Sequence, residues 1–155
     1  MADAPDRAVV VIRPPLLYLG ALALGGGLSL LWPLWDMPGW LRFGVGPGPL
    51  VLGIALMASA MGRFRVAGTS VPTNEPTKVL VTDGPYKHTR NPIYIALSLI
   101  YLGIAVVASS LWAILLLVPV LAVIDRGVIR PEEAYLAGKF GDVYRSYLSR
   151  TRRWI

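Results

Sequence analysis

The sequence contains no cysteine and only one histidine, His88. Without cysteine the protein can form neither a disulfide nor a thiolate nucleophile. A single histidine argues against a histidine-based metal site, and we predict no bound metal. Charged residues are also scarce, because they make up 15% of the chain while 55% is hydrophobic; soluble domains carry roughly 25% charged residues. This composition is typical of a membrane protein.

Four apolar runs predict an all-α membrane protein, with four transmembrane helices in a single domain covering residues 1–155. The helices are expected at about residues 15–33, 48–63, 92–108 and 110–129. Leu111 to Ile124 alone would cover only ~21 Å of a ~30 Å hydrocarbon layer, so the fourth helix must continue to about Ile129. The N-terminal segment lacks the pattern of a cleaved secretory signal, and we therefore treat the first helix as retained.

The distribution of basic residues predicts the orientation in the membrane. Two precede the first helix, five lie between the second and third, and seven follow from Arg126 onward, so fourteen of the fifteen fall on one side. By the positive-inside rule that side is cytoplasmic. We expect a multi-pass protein of the bacterial inner membrane, with both termini and the active site facing the cytosol.

Glycine-rich and polar segments separate the apolar runs. Gly25-Gly26-Gly27, inside the first run, favours close helix packing in lipid. The loop from Asp36 to Gly48 contains Gly44-x-Gly46, but no strand precedes it, and we set aside a phosphate-binding function. A short β-like run, Lys78 to Thr82, follows a long polar loop.

The polar stretch 83–94 directly precedes the third apolar run. Asn91 is predicted to cap the third helix, and Pro92 to occupy its first position, where a missing N–H costs nothing. The positive end of the helix dipole would then lie among polar side chains at the membrane edge.

The segment Pro131 to Arg153 is too polar to span a membrane, and it predicts an amphipathic cytoplasmic helix region. Glu132 and Glu133 fall in its first turn, where they suit the helix dipole. Gly138 and Gly141 weaken a continuous helix. If the helix is continuous, one face carries Leu136, Phe140, Val143 and Tyr147. Four arginines are expected to meet anionic lipid headgroups: Arg145, Arg150, Arg152 and Arg153.

The two polar segments, 78–94 and 130–153, should be neighbours, because the third and fourth helices are antiparallel. Together they gather carboxylates, arginines, tyrosines and a helix N-terminus, which is an arrangement typical of a site. Structural explanations also stay open at this point. The glutamates can compensate the dipole, the tyrosines can lie in an interfacial belt, and His88 can be a solvated loop residue.

Two motifs carry a family resemblance. Gly84-Pro-Tyr-Lys-His-Thr-Arg-Asn-Pro-Ile-Tyr94 resembles the G-P-Y-x-x-x-R-[HN]-P-x-Y signature of the isoprenylcysteine carboxyl methyltransferase and phospholipid methyltransferase families. Residues 130–147 resemble their second block, R-x-E-E-x-x-L-x-x-x-F-G-x-x-Y-x-x-Y. Both blocks occur in the family's order with one helical hairpin between them, which makes the pair much more specific than either alone.

The resemblance implies an integral-membrane methyltransferase that uses S-adenosylmethionine without a Rossmann domain. Arg90 and Glu133 are the candidate catalytic residues. The candidate cofactor-binding residues are Tyr86, His88, Arg90, Asn91, Pro92, Tyr94, Glu132 and Glu133. The candidate substrate-binding residues are Arg126, Arg130, Tyr144 and Tyr147. Eukaryotic members usually have histidine at the position of Asn91, and asparagine cannot shuttle a proton near neutral pH.

We expect a lipophilic acceptor that enters from the bilayer, either an isoprenylcysteine-like carboxylate or a phospholipid amine. Membrane lipids are the other expected partners, nucleic acid is not expected, and the oligomeric state is left open. Two alternatives are kept. One is an NADPH-dependent membrane reductase of the sterol-reductase type, and the other is a non-enzymatic scaffold or transporter component.

Overall fold

The computed structural model describes residues 12–71 and 77–154, and this part of the chain is helical without a strand. The predicted all-α fold is therefore confirmed, whereas the N-terminal residues 1–11, used to judge the absence of a signal, lie outside the described residues. The α-helices are α1 (Pro14–Leu31), α2 (Pro47–Val66), α3 (Pro92–Val107), α4 (Leu111–Ile124) and α5 (Arg130–Arg150).

Three helices in the described ranges are long and apolar enough to cross a membrane: Pro14–Leu31, Trp40–Val66 and Leu111–Arg150. Helix α3 is apolar but has only 16 residues, which correspond to ~24 Å against a ~30 Å hydrocarbon layer. The structure therefore supports a membrane protein with at least these apolar helices. A fourth complete span remains an expectation.

The first two helices follow the predicted bounds with one correction. Helix α1 begins at Pro14 and ends at Leu31, close to the predicted 15–33. The Gly- and Pro-rich segment before α2, expected to be a loop, instead contains a π-helical turn, Trp40–Val45. Gly46 N–H donates to Leu41 O, five residues back, at 3.0 Å, which is the spacing of a π-helical turn. The prolines at the start of α2 have no N–H, so one regular series of backbone hydrogen bonds cannot run through the π-helical turn and α2.

The predicted hairpin between α3 and α4 is confirmed. Ser109 has a φ of 56° and makes the reversal, and the Ser110 side chain accepts a hydrogen bond from Ala113 N–H at 3.1 Å. Ser110 is thus the N-cap of α4, as its residue type favours.

Helix α4 continues into α5 through a π-helical segment, Asp125–Ile129, so the chain is helical from Leu111 to Arg150 except at a kink in α5. The predicted extension to Ile129 is correct. Within the π segment Arg130 N–H donates to Asp125 O, five residues back. This wider turn precedes Pro131, which has no N–H to give to a regular ladder.

The predicted break in the last helix occurs at Gly141, whose φ of 53° and ψ of −125° are not helical. Because the helix breaks at Gly141, the condition for one shared face over the whole segment is not met, and the pattern applies only within each half. Val143 is 67% exposed, whereas Tyr144 is buried. The kink rotates the second half of α5, so that a different side of it faces the protein.

Close helix packing is concentrated at a few glycines. A Cβ added to Gly25 would lie 2.5 Å from Ala113 Cα, which confirms close approach of α1 and α4 there, but Gly26 and Gly27 meet nothing within 4 Å. Added Cβ atoms at Gly53 and Gly103 would meet backbone atoms across the interface of α2 and α3. These contacts fix α3, whose N-terminus lies at the site described next.

The predicted β-like run Lys78 to Thr82 is not a strand, because no neighbouring segment pairs with it in the described ranges. An isolated β-bridge occurs elsewhere in the described residues, where Thr89 pairs with Arg152 in parallel orientation. This bridge brings the segment that follows α5 next to the start of α3, two regions that are over sixty residues apart in sequence.

Candidate active site

A cavity lies where the N-terminus of α3, the 3₁₀ turn Gly84–Lys87 and the first turns of α5 meet. The predicted site residues that line it are Tyr86, Arg90, Asn91, Pro92, Tyr94, Glu132, Glu133, Tyr144 and Tyr147. Local sequence explains the meeting point. Pro92 opens α3 and Pro131 stands in the first turn of α5, so each motif places its polar residues around a helix start.

Three predicted site residues are not brought into this cavity. His88 is exposed and lies in a separate surface recess with Lys87 and Arg152. Arg126 is exposed, and Arg130 is exposed with its Nε 3.1 Å from Asp125 Oδ2. Their proposed binding functions therefore have no contact with the cavity to support them.

The glutamate–tyrosine contact connects the two motifs. Glu132 is 7% exposed, and the Tyr94 hydroxyl donates to its carboxylate with distances of 2.8 Å to Oε1 and 2.9 Å to Oε2. Because a buried carboxylate is costly without partners, this hydrogen bond stabilises Glu132 in place. The glutamate is thus a part of the cavity wall as well as a residue of the first helical turn.

An ion-pair network surrounds Glu133. Arg90 Nη2 lies 3.6 Å from Glu133 Oε1, and each of these side chains is 15% exposed. Arg153 donates to both Glu133 oxygens, with Nη2 2.6 Å from Oε2 and Nε 3.2 Å from Oε1. Hydrogen bonding to Glu133 raises the pKa of the Arg153 guanidinium. The sequence predicts a contact of Arg153 with lipid headgroups, whereas in the structure its side chain binds the Glu133 carboxylate.

Asn91 occupies the N-cap position predicted for it, but its side chain does not cap the helix. Its Nδ2 donates instead to Arg153 O at 2.9 Å. The prediction of a side-chain cap is wrong, because Oδ1 accepts no hydrogen bond from the first turn of α3 and the amide is oriented by its donor group toward a distant carbonyl. The same carbonyl also accepts from Thr89 Oγ1 at 3.1 Å.

Three buried side-chain atoms of the described residues lack a hydrogen-bond partner: Thr77 Oγ1, Tyr86 OH and Arg90 Nε. All three residues line this one cavity. Burial raises the pKa of the Tyr86 phenol, and nearby Tyr147 and Glu132 raise it further, so the hydroxyl stays protonated. Unpaired buried polar atoms are rare in folded proteins and call for a partner. Their convergence indicates a ligand site, and Thr77 lies outside both motifs, where no sequence signal pointed to it.

The cavity combines two carboxylates, an arginine, tyrosines and a helix N-terminus. Within the described residues no three side chains of His, Cys, Asp or Glu group as metal ligands would. Such a set can bind a zwitterionic, cationic ligand through charge-assisted hydrogen bonds and aromatic faces. The cavity also contains carboxylates that can accept a proton. The apolar helices and this cavity together define the class of the protein, a helical membrane protein with a polar site.

Comparison with known proteins gives this class a family. Residues 41–143 match the phospholipid methyltransferase family, and the chain belongs to it. It is also 34% identical over 102 residues to the protein-S-isoprenylcysteine O-methyltransferase of Schizosaccharomyces pombe, across 64% of this chain and 43% of that protein. The chain thus spans less than half the length of that curated relative.

A second relative is an uncharacterized protein of Haemophilus influenzae. It is 38% identical over 63 residues, which are 41% of this chain and the whole of that protein. No solved structure matches the chain. The family match covers the start of α3 and most of α5, and therefore includes most of the residues that line the cavity.

Proposed function

We propose that this protein transfers a methyl group from S-adenosylmethionine to a lipophilic acceptor at the cytoplasmic face of a membrane. The observation that carries the proposal is the cavity between the two family motifs, where Thr77, Tyr86 and Arg90 each present an unpaired buried polar atom. Membership of a methyltransferase family supports the reaction class. The family match gives no corresponding support to a reductase or to a non-enzymatic scaffold.

The charges of the cavity suit this cofactor. The ionic residues in its wall are Arg90, Glu132 and Glu133, and they sum to one negative charge. S-adenosylmethionine carries one net positive charge. Arg90 or the N-terminus of α3 would hold its carboxylate, and Glu132 or Glu133 its ammonium. The faces of Tyr86, Tyr144 and Tyr147 would stabilise its sulfonium, by about 0.5–2 kcal/mol.

The cofactor, when bound, supplies an electrophilic methyl group, so the protein needs no nucleophile of its own. The chain contributes by orienting both reactants and by excluding water from the cavity. A carboxylate acceptor would need no base. An amine acceptor would have to lose a proton, and Glu132 and Glu133 are the carboxylates in the cavity wall that could accept it. Asn91 is not suited to this function.

An apolar recess beside the cavity fits the entry of a lipophilic acceptor. It measures about 440 Å³, is bounded by residues of α1, α2 and α3, and shares Val71, Ile93 and Tyr94 with the cavity. Met57 and Met61 line its α2 side. We propose that α3 completes a fourth membrane span, with the cavity on the cytoplasmic side where the basic residues accumulate. The acceptor would be an isoprenylcysteine-like carboxylate or a phospholipid amine.

The first test is ligand binding by the purified protein in detergent. We expect isothermal titration calorimetry to show saturable binding of S-adenosylmethionine and of S-adenosylhomocysteine, and none of NADPH. Folded protein that binds neither nucleoside at millimolar concentration would contradict the proposal. Binding of NADPH in their place would favour the reductase.

The acceptor can be identified by mass spectrometry of lipids and prenylated peptides methylated by membranes that contain the protein. Membranes with the Arg90→Ala variant are the control. Mild alkali separates the two acceptor classes, because a methyl ester is cleaved whereas a methylated amine is stable. Release of the transferred methyl group as methanol after alkali treatment indicates a carboxylate acceptor. A methyl group that stays bound to nitrogen indicates an amine acceptor.

Tyr86→Phe is expected to leave the protein as stable as the wild type, or more stable, while it weakens binding of S-adenosylhomocysteine. The variant removes a hydroxyl that has no partner in the protein, and an unpaired buried group costs about 1–3 kcal/mol. A lost neutral hydrogen bond to the ligand corresponds to a roughly 2–12-fold lower affinity. Thermal unfolding and calorimetry measure the two effects separately.

Tyr101→Phe is the matched control for this variant. Tyr101 is equally buried, but its hydroxyl donates to Ala113 O at 2.8 Å and does not line the cavity. We expect the control to lose stability and to keep its ligand affinity. If Tyr86→Phe behaved as Tyr101→Phe does, the Tyr86 hydroxyl would have a structural partner and no ligand contact.

A further inference from the structure

The segment that follows α5, Thr151–Trp154, folds back across the start of α3, and we call it the strap. Arg90 N–H donates to Arg152 O at 2.9 Å. Thr89 and Asn91 side chains both donate to Arg153 O. Trp154 packs against the buried residues of the helical core. The strap is therefore attached by its backbone to the polar stretch that forms one wall of the cavity.

The Arg153 side chain points from the strap to Glu133. Its Nη2 and Nε donate to the two carboxylate oxygens, which is the forked arrangement that makes arginine–carboxylate pairs specific. Its Nη1 also lies 3.5 Å from Asp125 Oδ1. By contrast, Arg90 reaches Glu133 only at 3.6 Å through Nη2. Two arginines thus compete for one carboxylate, and Arg153 has the shorter contacts.

We propose that Arg153 is a positioning residue of the cofactor site, which keeps the Glu133 carboxylate just beyond hydrogen-bond distance of Arg90, so that the Arg90 donors stay available to the ligand. The inference rests on the proposed function. Arg90 Nε is buried without a partner although a carboxylate is close by. Without Arg153, Glu133 would satisfy its charge on Arg90 and occupy the donors that the ligand needs.

The positioning function of the Arg153 side chain can be separated from the structural contacts that the backbone of the strap makes. The backbone bonds from the strap to Thr89, Arg90 and Asn91 use carbonyl oxygens, so a side-chain substitution at residue 153 leaves them in place. Asp125 keeps Arg130 as partner at 3.1 Å, and Glu133 keeps Arg90. Arg153→Ala is therefore expected to fold and to bind ligand poorly.

The test is the affinity for S-adenosylhomocysteine, measured by calorimetry in detergent. We expect Arg153→Ala to bind roughly tenfold or more weakly, as for loss of a charge-assisted contact. Arg153→Lys should recover part of the affinity, because lysine keeps the charge but lacks the fork. Arg150→Ala is the matched control, since that arginine is exposed and, among the described residues, its side chain donates to Ser146 in its own helix. Wild-type affinity in Arg153→Ala would overturn the proposal.

A second measurement needs no ligand. The coupling between Arg90 and Glu133 in thermal unfolding is obtained from Arg90→Ala, Glu133→Gln and the double variant. The same cycle is then measured in the Arg153→Ala background. We expect stronger coupling there, because Glu133 moves onto Arg90, and equal coupling would contradict the positioning function. If wild-type protein binds no S-adenosylhomocysteine, the proposed function fails and this cycle decides the inference about Arg153.

Discussion

Arg90→Ala is expected to lower the affinity for S-adenosylhomocysteine by roughly 10–150-fold, the range given by hydrogen bonds to charged groups. Arg90 lines the cavity and its buried Nε has no partner in the protein. The fold should survive, because Glu133 keeps its contacts with Arg153 and because the backbone bond from Arg90 N–H to Arg152 O does not depend on the side chain. Calorimetry measures the affinity, and the midpoint of thermal unfolding reports the fold.

Arg90→Lys separates charge from geometry in this prediction. Lysine keeps the positive charge but has a methylene group in place of the Nε–H donor, and it cannot donate as a planar fork. We therefore expect it to resemble Arg90→Ala more than the wild type. Arg145→Ala is the control, because Arg145 is exposed and pairs with Asp142 one turn away. Normal affinity in both Arg90 variants would remove Arg90 from the cofactor site, even if methyl transfer were demonstrated.

The helices that could be predicted from sequence are those specified by local signals. Pro92 and the apolar run that follows it define α3. Ser110 defines the start of α4, because its side chain accepts a hydrogen bond from Ala113 N–H, three residues further on. Gly138 and Gly141 both weaken a continuous helix, and the kink occurs at Gly141, whose positive φ glycine readily adopts. Only a continuous helix would place Val143 on one face with Leu136, and the direction in which the kink turns the second half could not be predicted. In the structure Tyr144 is buried there and Val143 is exposed.

The errors lie where the local structure depends on whether a distant segment is nearby. Asn91 has the residue type of a side-chain cap, yet the carbonyl of Arg153, 62 residues away, receives its amide. The run Lys78 to Thr82 has β-forming residues, but a strand needs a paired neighbour, and the described residues offer none. Neither outcome is encoded in the segment concerned, because both depend on how the helices pack.

The candidate site shows the same division. The two motifs located most of the side chains around the cavity, because each motif lies at a helix start and the hairpin of α3 and α4 brings these starts together. His88 belongs to the first motif, but it lies on the opposite side of the turn from Tyr86 and faces another recess. Thr77 and Arg153 lie outside the motifs, and only the folded arrangement shows their relation to the cavity.

Gly103→Ala is expected to lower the free energy of unfolding by about 1–3 kcal/mol, the usual cost of overpacking a close contact. A Cβ at this position would lie 2.6 Å from Leu50 N and 2.9 Å from Leu50 Cα. Both are backbone atoms, so no side-chain rotation can relieve the overlap, and α2 and α3 must separate. The midpoint of thermal unfolding in detergent measures the effect.

Gly27→Ala is the matched control for Gly103→Ala. Gly27 also lies inside an apolar helix, but a Cβ there meets nothing within 4 Å. Alanine should be neutral at this position or stabilise the helix by up to about 1 kcal/mol, because it restricts the unfolded backbone more than glycine does. Equal unfolding midpoints for the two variants would contradict the close approach of α2 and α3.

Gly103→Ala should also weaken ligand binding, although Gly103 does not line the cavity. Helix α2 carries Phe64, whose ring meets the Tyr86 ring edge to face with centroids 5.5 Å apart, and α3 begins at Pro92 in the cavity wall. Separating the two helices therefore displaces opposite walls of one site. We expect a lower affinity for S-adenosylhomocysteine in Gly103→Ala and an unchanged one in Gly27→Ala. Lost stability with wild-type affinity would mean that the cavity is held by α5 and the strap without help from the α2–α3 contact.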